Sequence, residues 1–291
     1  MTNAGKEYAV LPCDRFNRYR LIMEEKMIKI EREYMFKNVV PVFLIIDAAK
    51  NENSAYFETV KKMIYELKEK LNEDENDFEA RVSIMSLADT AYWIHEMVFP
   101  EEIAPEFLVE HGKSLNMEAA FDLLKGSLNT AYMRCFIGDD YQRYRYPIIV
   151  FVTNHLPIDY VSGERPFGGS LDVLKNSGWF TWAQRHFVVY GNEGFNEETE
   201  VFATVTGTMK SVYRIVDLDT MKETIQTVIM TAINYRERDR LLNEEDERSP
   251  WEKSIERIEA VEEFAMYKMT EFSDDDFFGI LGLEDEIWGD I

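Results

Sequence analysis

The sequence predicts an α/β fold, a doubly wound, mostly parallel six-stranded sheet with one antiparallel edge strand, followed by a helical and acidic C-terminal extension. Three observations carry this expectation. Unbroken apolar, β-branched runs such as "VVPVFLII" (Val39 to Ile46) and "PIIVFVT" (Pro147 to Thr153) have the character of strands buried on both faces. Such runs alternate with stretches of helical periodicity, the pattern of a sheet with helices on both sides. Two further β-rich runs, Ala80 to Ala88 and Ala91 to Val98, are separated only by "DT", which is hairpin spacing and supplies the antiparallel strand.

In chain order, the segment to about Tyr34 mixes both charges with apolar residues at helical spacing and reads as an exposed helix leading into the domain. The first strand ends at Asp47. Ser54 is a plausible N-cap for a helix reaching Leu71. After the hairpin, a helix is expected from about Ser114 to Leu128. "YMRCFIGDDYQRYRYP", Tyr132 to Pro147, mixes aromatics and arginines as a nucleic-acid patch does, but Asp139 and Asp140 dilute it, and it reads as a solvated connector. Past the strand ending at Thr153 come a helical stretch "GGSLDVLKNSG", a strand Arg185 to Tyr190, a helix "NEETEVFATVTG", a strand Ser211 to Asp217 and a helix "LDTMKETIQTVIMTAINY". The expected organisation is an N-terminal helical extension (1–35), the α/β domain (36–235), a charged linker (236–248), an amphipathic helix (249–271) and an acidic, hydrophobic tail (272–291). Ser249, Pro250 and Glu252 form a capping box with proline at the first helical position. Trp251, Ile255, Ile258, Val261 and Ala265 make one stripe of that helix, for docking on the domain or on a partner.

Composition narrows the function classes. The 291 residues carry a formal charge of −23, which repels polyanions and argues against nucleic acid, leaving basic proteins or cations as expected partners. No apolar run reaches the roughly eighteen residues of a bilayer span, and the first residues lack a signal-peptide core, so a cytoplasmic protein without membrane contact is expected. Cys13 and Cys135 cannot build a disulfide framework and read as structural thiols. No Walker-type loop, dinucleotide fingerprint or nucleophile elbow is present, and a non-enzymatic role is expected. His155 and Asp159 bracket a proline at a strand end, where a general-base dyad is conceivable, although a surface hydrogen bond is the commoner meaning of such a pair.

Five stretches in order, "PVFLIIDAAKN", "ARVSIMSLADTAYWI", "HGKSLNMEAAFDLL", "YPIIVFVTNHLPIDY" and "RHFVVYGNEG", resemble a von Willebrand factor type A (vWA) domain, a Rossmann-like fold, over about residues 36–235. The resemblance is to the small cytosolic bacterial kind associated with tellurium-resistance and stress-response gene clusters. It implies a metal-ion-dependent adhesion site made by an Asp-x-Ser-x-Ser motif after the first strand, a threonine before a mid-domain helix and an aspartate after the fourth strand. This sequence keeps Asp47, but Ala49 and Asn51 stand at the serine positions, Lys113 at the threonine and Asn154 at the aspartate. Mg²⁺ wants several hard oxygens, so the implied site is degenerate and no cofactor is expected. Lys113 is expected to pair with Asp47 in place of the cation, with Lys50 as a second candidate.

Other readings stay open. In one, Asp47 caps its loop, with Asn51 and Asn154 as turn residues and Lys113 in solvent; in the other, Asp47, Asn51, Ser114 and Asn154, joined by Asp89 or Asp159, rebuild a Mg²⁺ site. The expected contact surface comprises Asp47, Ala49, Lys50, Asn51, Lys113, Ser114, Asn154 and Asp159, with Phe277, Phe278 and Trp288 of the tail as a second contact. The tail is also a candidate to occupy the loop face of its own domain. The resemblance implies a scaffold for protein partners, kinase and phosphatase components among them.

Overall fold

A computed structural model describes residues 38–50, 54–73, 78–137, 145–160, 166–191, 200–234, 251–252, 254–256 and 258–259. The chain divides into two units, Met1–Asn38 and Val39–Ile291. The expected helix before Tyr34, the linker 236–248, Asn51 and the tail residues Phe277, Phe278 and Trp288 lie outside the described residues.

Six strands form one sheet: β1 (Asn38–Asp47), β2 (Phe78–Leu87), β3 (Ala91–Val98), β4 (Ile148–Thr153), β5 (Gln184–Tyr190) and β6 (Val212–Ile215). Their order is β3-β2-β1-β4-β5-β6. The pairs β1/β4, β4/β5 and β5/β6 are parallel, and β2/β3 is antiparallel, which puts the one reversed strand at the edge. The fold is the doubly wound α/β sheet expected from the sequence. Chain order departs in opposite directions from β1 and β4, so these two central strands make the switch point, where the carboxyl ends of strands diverge and leave a crevice.

The unbroken apolar run of β1 has a direct cause: every residue from Val39 to Asp47 is buried. Val42, Leu44 and Ile46 face one layer, where α1 (Ser54–Leu71) contributes Tyr56, Val60, Ile64 and Leu67 and α7 (Leu218–Asn234) contributes Met221, Ile225 and Ile229. Phe43 and Ile45 face the other, against α2 (Met117–Ser127), α4 (Ser170–Lys175), α5 (Gly178–Thr181) and α6 (Glu200–Thr206). Phe151 of β4 stacks on Phe187 of β5 at 4.4 Å between centroids in that second layer. Each such side chain taken fully from water contributes about 1.5–3 kcal/mol.

Some boundaries differ from expectation. Helix α2 starts at Met117 because Asn116 caps it, its side chain accepting from Ala119 N. The stretch from Tyr132 is not simply a solvated connector: α3 (Thr130–Ile137) buries Met133, and the Tyr132 hydroxyl donates to Glu96 Oε2 at 2.9 Å. Strand β6 is shorter than the apolar run suggests, because a 3-10 turn, Met209–Ser211, precedes it under a Thr208 cap. Among the described residues no helix is long and apolar enough to cross a membrane.

Candidate functional site

Asp47 ends β1 at the switch point and is 1% exposed. A carboxylate there must be compensated, and four donors surround it. Oδ1 accepts from Ala49 N at 3.0 Å, an Asx-type turn that seats Ala49 in the interior. Oδ2 accepts from Thr153 Oγ1 at 2.8 Å, from Asn154 N at 3.3 Å and from His155 Nδ1 at 2.8 Å. An ionised carboxylate can only accept, so the proton on that ring nitrogen is assigned to the bond with Asp47. The same bond holds the His155 pKa above the usual histidine value, against the opposing effect of burial. The pair spans the crevice from β1 to the loop after β4.

The expected partner of Asp47, Lys113, is not in that position. Lys113 and Lys50 are both exposed; imidazole, not ammonium, meets the carboxylate. The 111–114 loop is fixed by other means. Gly112 has φ +67°, and a Cβ on it would lie 2.9 Å from Ala88 Cβ and from Asp89 Oδ2, so glycine is required. This turn aims Lys113 N and Ser114 N at the two oxygens of Asp89, each at 3.0 Å, and Ser114 Oγ donates to Oδ1 as well. The hydrogen bond from the Ser114 hydroxyl is the main reason the Asp89 pKa lies below the usual carboxylate range. His111 N donates to Ala48 O at 2.8 Å, tying the loop to the end of β1. Burial holds the His111 pKa below the usual value.

Asp159 is also committed, as a cap for α2: its oxygens accept from Met117 N at 3.1 Å and Glu118 N at 2.6 Å. It therefore does not meet His155, and the two do not form a dyad. Asn154 is the unusual member of the cluster. Its Oδ1 and Nδ2 are buried with no hydrogen-bond partner, although its backbone N–H serves Asp47. Behind the site, burial, reinforced by the Asp47 charge, pushes the Tyr56 hydroxyl well above the ordinary tyrosine pKa; it donates to Val152 O at 3.3 Å.

The structure thus brings together Asp47, Ala49 and Asn154, and places Lys113 and Ser114 on the neighbouring loop. Sequence reasoning missed Thr153 and the role of His155, whose signal was a hydroxyl closing a buried strand and an imidazole two residues beyond it. Of the proposed metal ligands, Ser114 and Asp159 have their oxygens engaged elsewhere, and Asp47 faces hydrogen-bond donors at both oxygens. Among the described residues no group of three or more His, Cys, Asp or Glu side chains is arranged to hold a metal ion. Among the described candidates, only the Asn154 amide oxygen is left without a hydrogen-bond partner.

A second polar cluster lies on the opposite layer. Arg185, 0% exposed, directs Nη1 to Phe180 O at 2.7 Å and Thr181 O at 2.6 Å, and Nη2 to Thr206 O and Ser254 Oγ, each at 3.1 Å. The Trp251 ring lies over its guanidinium at 4.1 Å and stacks on Phe180. Helical residues of the 251–259 segment therefore dock on the domain, and Ile258 is fully buried there. Gly207, φ +93°, permits the approach, since a Cβ would meet Ile255 Cγ1 at 2.8 Å.

No family model matches the chain. No curated protein matches it. Among solved structures it is similar to a von Willebrand factor type A protein from Catenulispora acidiphila, with 9% identity, TM-score 0.49, and coverage of 69% of this chain and 44% of that one. Proximal thread matrix protein 1 from the mussel byssus matches at 10% identity and TM-score 0.47, over 68% of this chain and 47% of that one. The ArnB paralog VWA2 from Sulfolobus acidocaldarius matches at 12% identity and TM-score 0.44, over 66% and 45%. This chain spans less than half the length of each of these three structures.

Proposed function

We propose that this chain is a non-enzymatic protein-interaction module of vWA type, whose ligand face at the carboxyl ends of β1 and β4 works without a metal ion. The observation that carries the reading is the saturation of Asp47 by four donors, with the His155 imidazole 2.8 Å from Oδ2. A protonated imidazole supplies locally the positive charge that a cation would bring. Lys50 and Lys113, exposed on the adjacent loops, are free to meet an acidic group of a partner protein. A cytoplasmic scaffold in a bacterial stress or signalling assembly, of the tellurium-resistance-associated kind and linked to kinase and phosphatase components, is the context that the family resemblance adds. That step is analogy from fold to function.

A Mg²⁺-dependent vWA module with rebuilt ligands is the second reading, favoured by the buried, unpartnered amide of Asn154. Capture of partners from a native lysate with the full chain, in Mg²⁺ and in chelator, separates the two. Retention of the same specific partner in chelator, and its loss from a Lys50→Glu/Lys113→Glu variant, supports the metal-free face; capture only in Mg²⁺ overturns it in favour of the second reading.

A further inference from the structure

We propose that the outer edge of the sheet, along β3 and the segment after it, is a docking surface for a cationic amphipathic segment of another protein. This surface does not depend on the reading of the Asp47 loops. Residues 89–113 contain six acidic side chains (Asp89, Glu96, Glu101, Glu102, Glu106 and Glu110) and one basic one, Lys113. All seven are exposed. The contrast with α1 is local: Ser54–Leu71 holds three acidic and four basic residues, so this edge is acidic where the neighbouring helix is not.

Apolar side chains stand among these acids. Phe107 is 63% exposed, Val109 52% and Tyr92 38%, while Ile103 and Leu108 between and beside them are buried. The buried pair anchors the segment and turns its neighbours outward. Lys68 Nζ fixes it further, donating to Glu101 O at 3.0 Å and Ile103 O at 3.1 Å. Two ring contacts join the segment to the edge strand, His95 with Phe107 at 6.3 Å and Tyr92 with His111 at 4.9 Å. The result is two ring pairs and the exposed Val109 side chain on a segment held by its buried anchors, with Glu106 and Glu110 exposed in the same segment. Exposed aromatic groups of this kind supply binding energy at low entropic cost, and the acidic side chains select the partner by charge. A segment carrying lysine or arginine beside leucine-like residues complements both features; a polyanion or an anionic lipid surface complements neither.

The test uses the full chain and two labelled peptides of equal length and charge, one alternating Lys and Leu and the other Lys and Ser, read by fluorescence anisotropy. The Lys/Leu peptide should bind about tenfold more tightly than the Lys/Ser peptide, and Phe107→Ser/Val109→Ser should remove that difference. Glu106→Lys/Glu110→Lys should weaken binding about tenfold, whereas Glu69→Lys/Glu223→Lys, with the same change of charge on exposed positions of α1 and α7, should alter it less than about twofold. Amide shifts of the wild-type protein on adding the Lys/Leu peptide should centre on Tyr92, Phe107 and Val109. Equal binding of the two peptides, equal effects of the two charge reversals, or shifts centred elsewhere would each overturn the proposal and leave only attraction to the whole negative molecule.

Discussion

His155 reaches Asp47 across 108 positions of sequence, and the contact withdraws most of both groups from water. Replacing His155 by Ala removes one charge-assisted donor from a buried carboxylate and should cost about 2 kcal/mol in urea unfolding. Lys113→Met should change stability by less than about 0.5 kcal/mol, because its side chain is exposed. The pH dependence follows from the raised His155 pKa. The folded value lies above the unfolded one, so its stabilisation is complete below the unfolded value of about 6.5 and is lost as pH rises through the folded value. The difference in unfolding free energy between wild type and His155→Ala should therefore be larger at mildly acidic than at alkaline pH; a difference independent of pH would count against a charged imidazole. Asp47 was legible in the sequence because an acid closing a nine-residue buried run is conspicuous. Its partner was not, since local spacing pairs His155 with Asp159 and only the β1/β4 register brings it to Asp47.

Periodicity located the elements whose burial is one-sided or complete, and failed where a cap decides the boundary. The hairpin strand Ala91–Val98 agrees with the sequence reading in both bounds, and the first helix ends at Leu71 as expected but already includes Ser54, the residue expected as its cap. Helix α2 differs at its start, which depends on Asn116 and on a carboxylate 42 residues downstream. Asp159→Ala should thus cost about 1 kcal/mol and loosen the first turn of α2, detectable as faster exchange of the Met117 and Glu118 amides. The docking of the 251–259 helix was one of two open outcomes from its apolar stripe, and the buried Arg185 beneath it gave no sequence signal, since "RHFVVY" reads as an ordinary strand entry. Gly207→Ala should destabilise the contact by about 1–3 kcal/mol, both through its positive φ and through the encounter with Ile255. A red shift of Trp251 emission would report it.

For the molecule as a whole, the metal question and the charge are separate. A divalent ion bound specifically at a hundred times its dissociation constant would raise the unfolding free energy by about 2.7 kcal/mol; the metal-free reading expects Mg²⁺ and chelator to give the same midpoint once ionic strength is matched. Ionic strength itself should matter, because self-repulsion at a net charge of −23 is screened by salt. The alternating β and α pattern ends near Tyr235, which invites a minimal fragment cut there. Such a fragment would strip the cover from the Arg185 guanidinium and expose the Phe180 ring to solvent, with Thr206 O losing the shelter in which its hydrogen bonds form. The packing of the domain therefore reaches at least to Glu259, whose carboxylate bonds Thr208 and Lys210. A chain shortened before that point should aggregate or become sensitive to protease at the α5 and α6 surface, and its behaviour would say little about the intact protein.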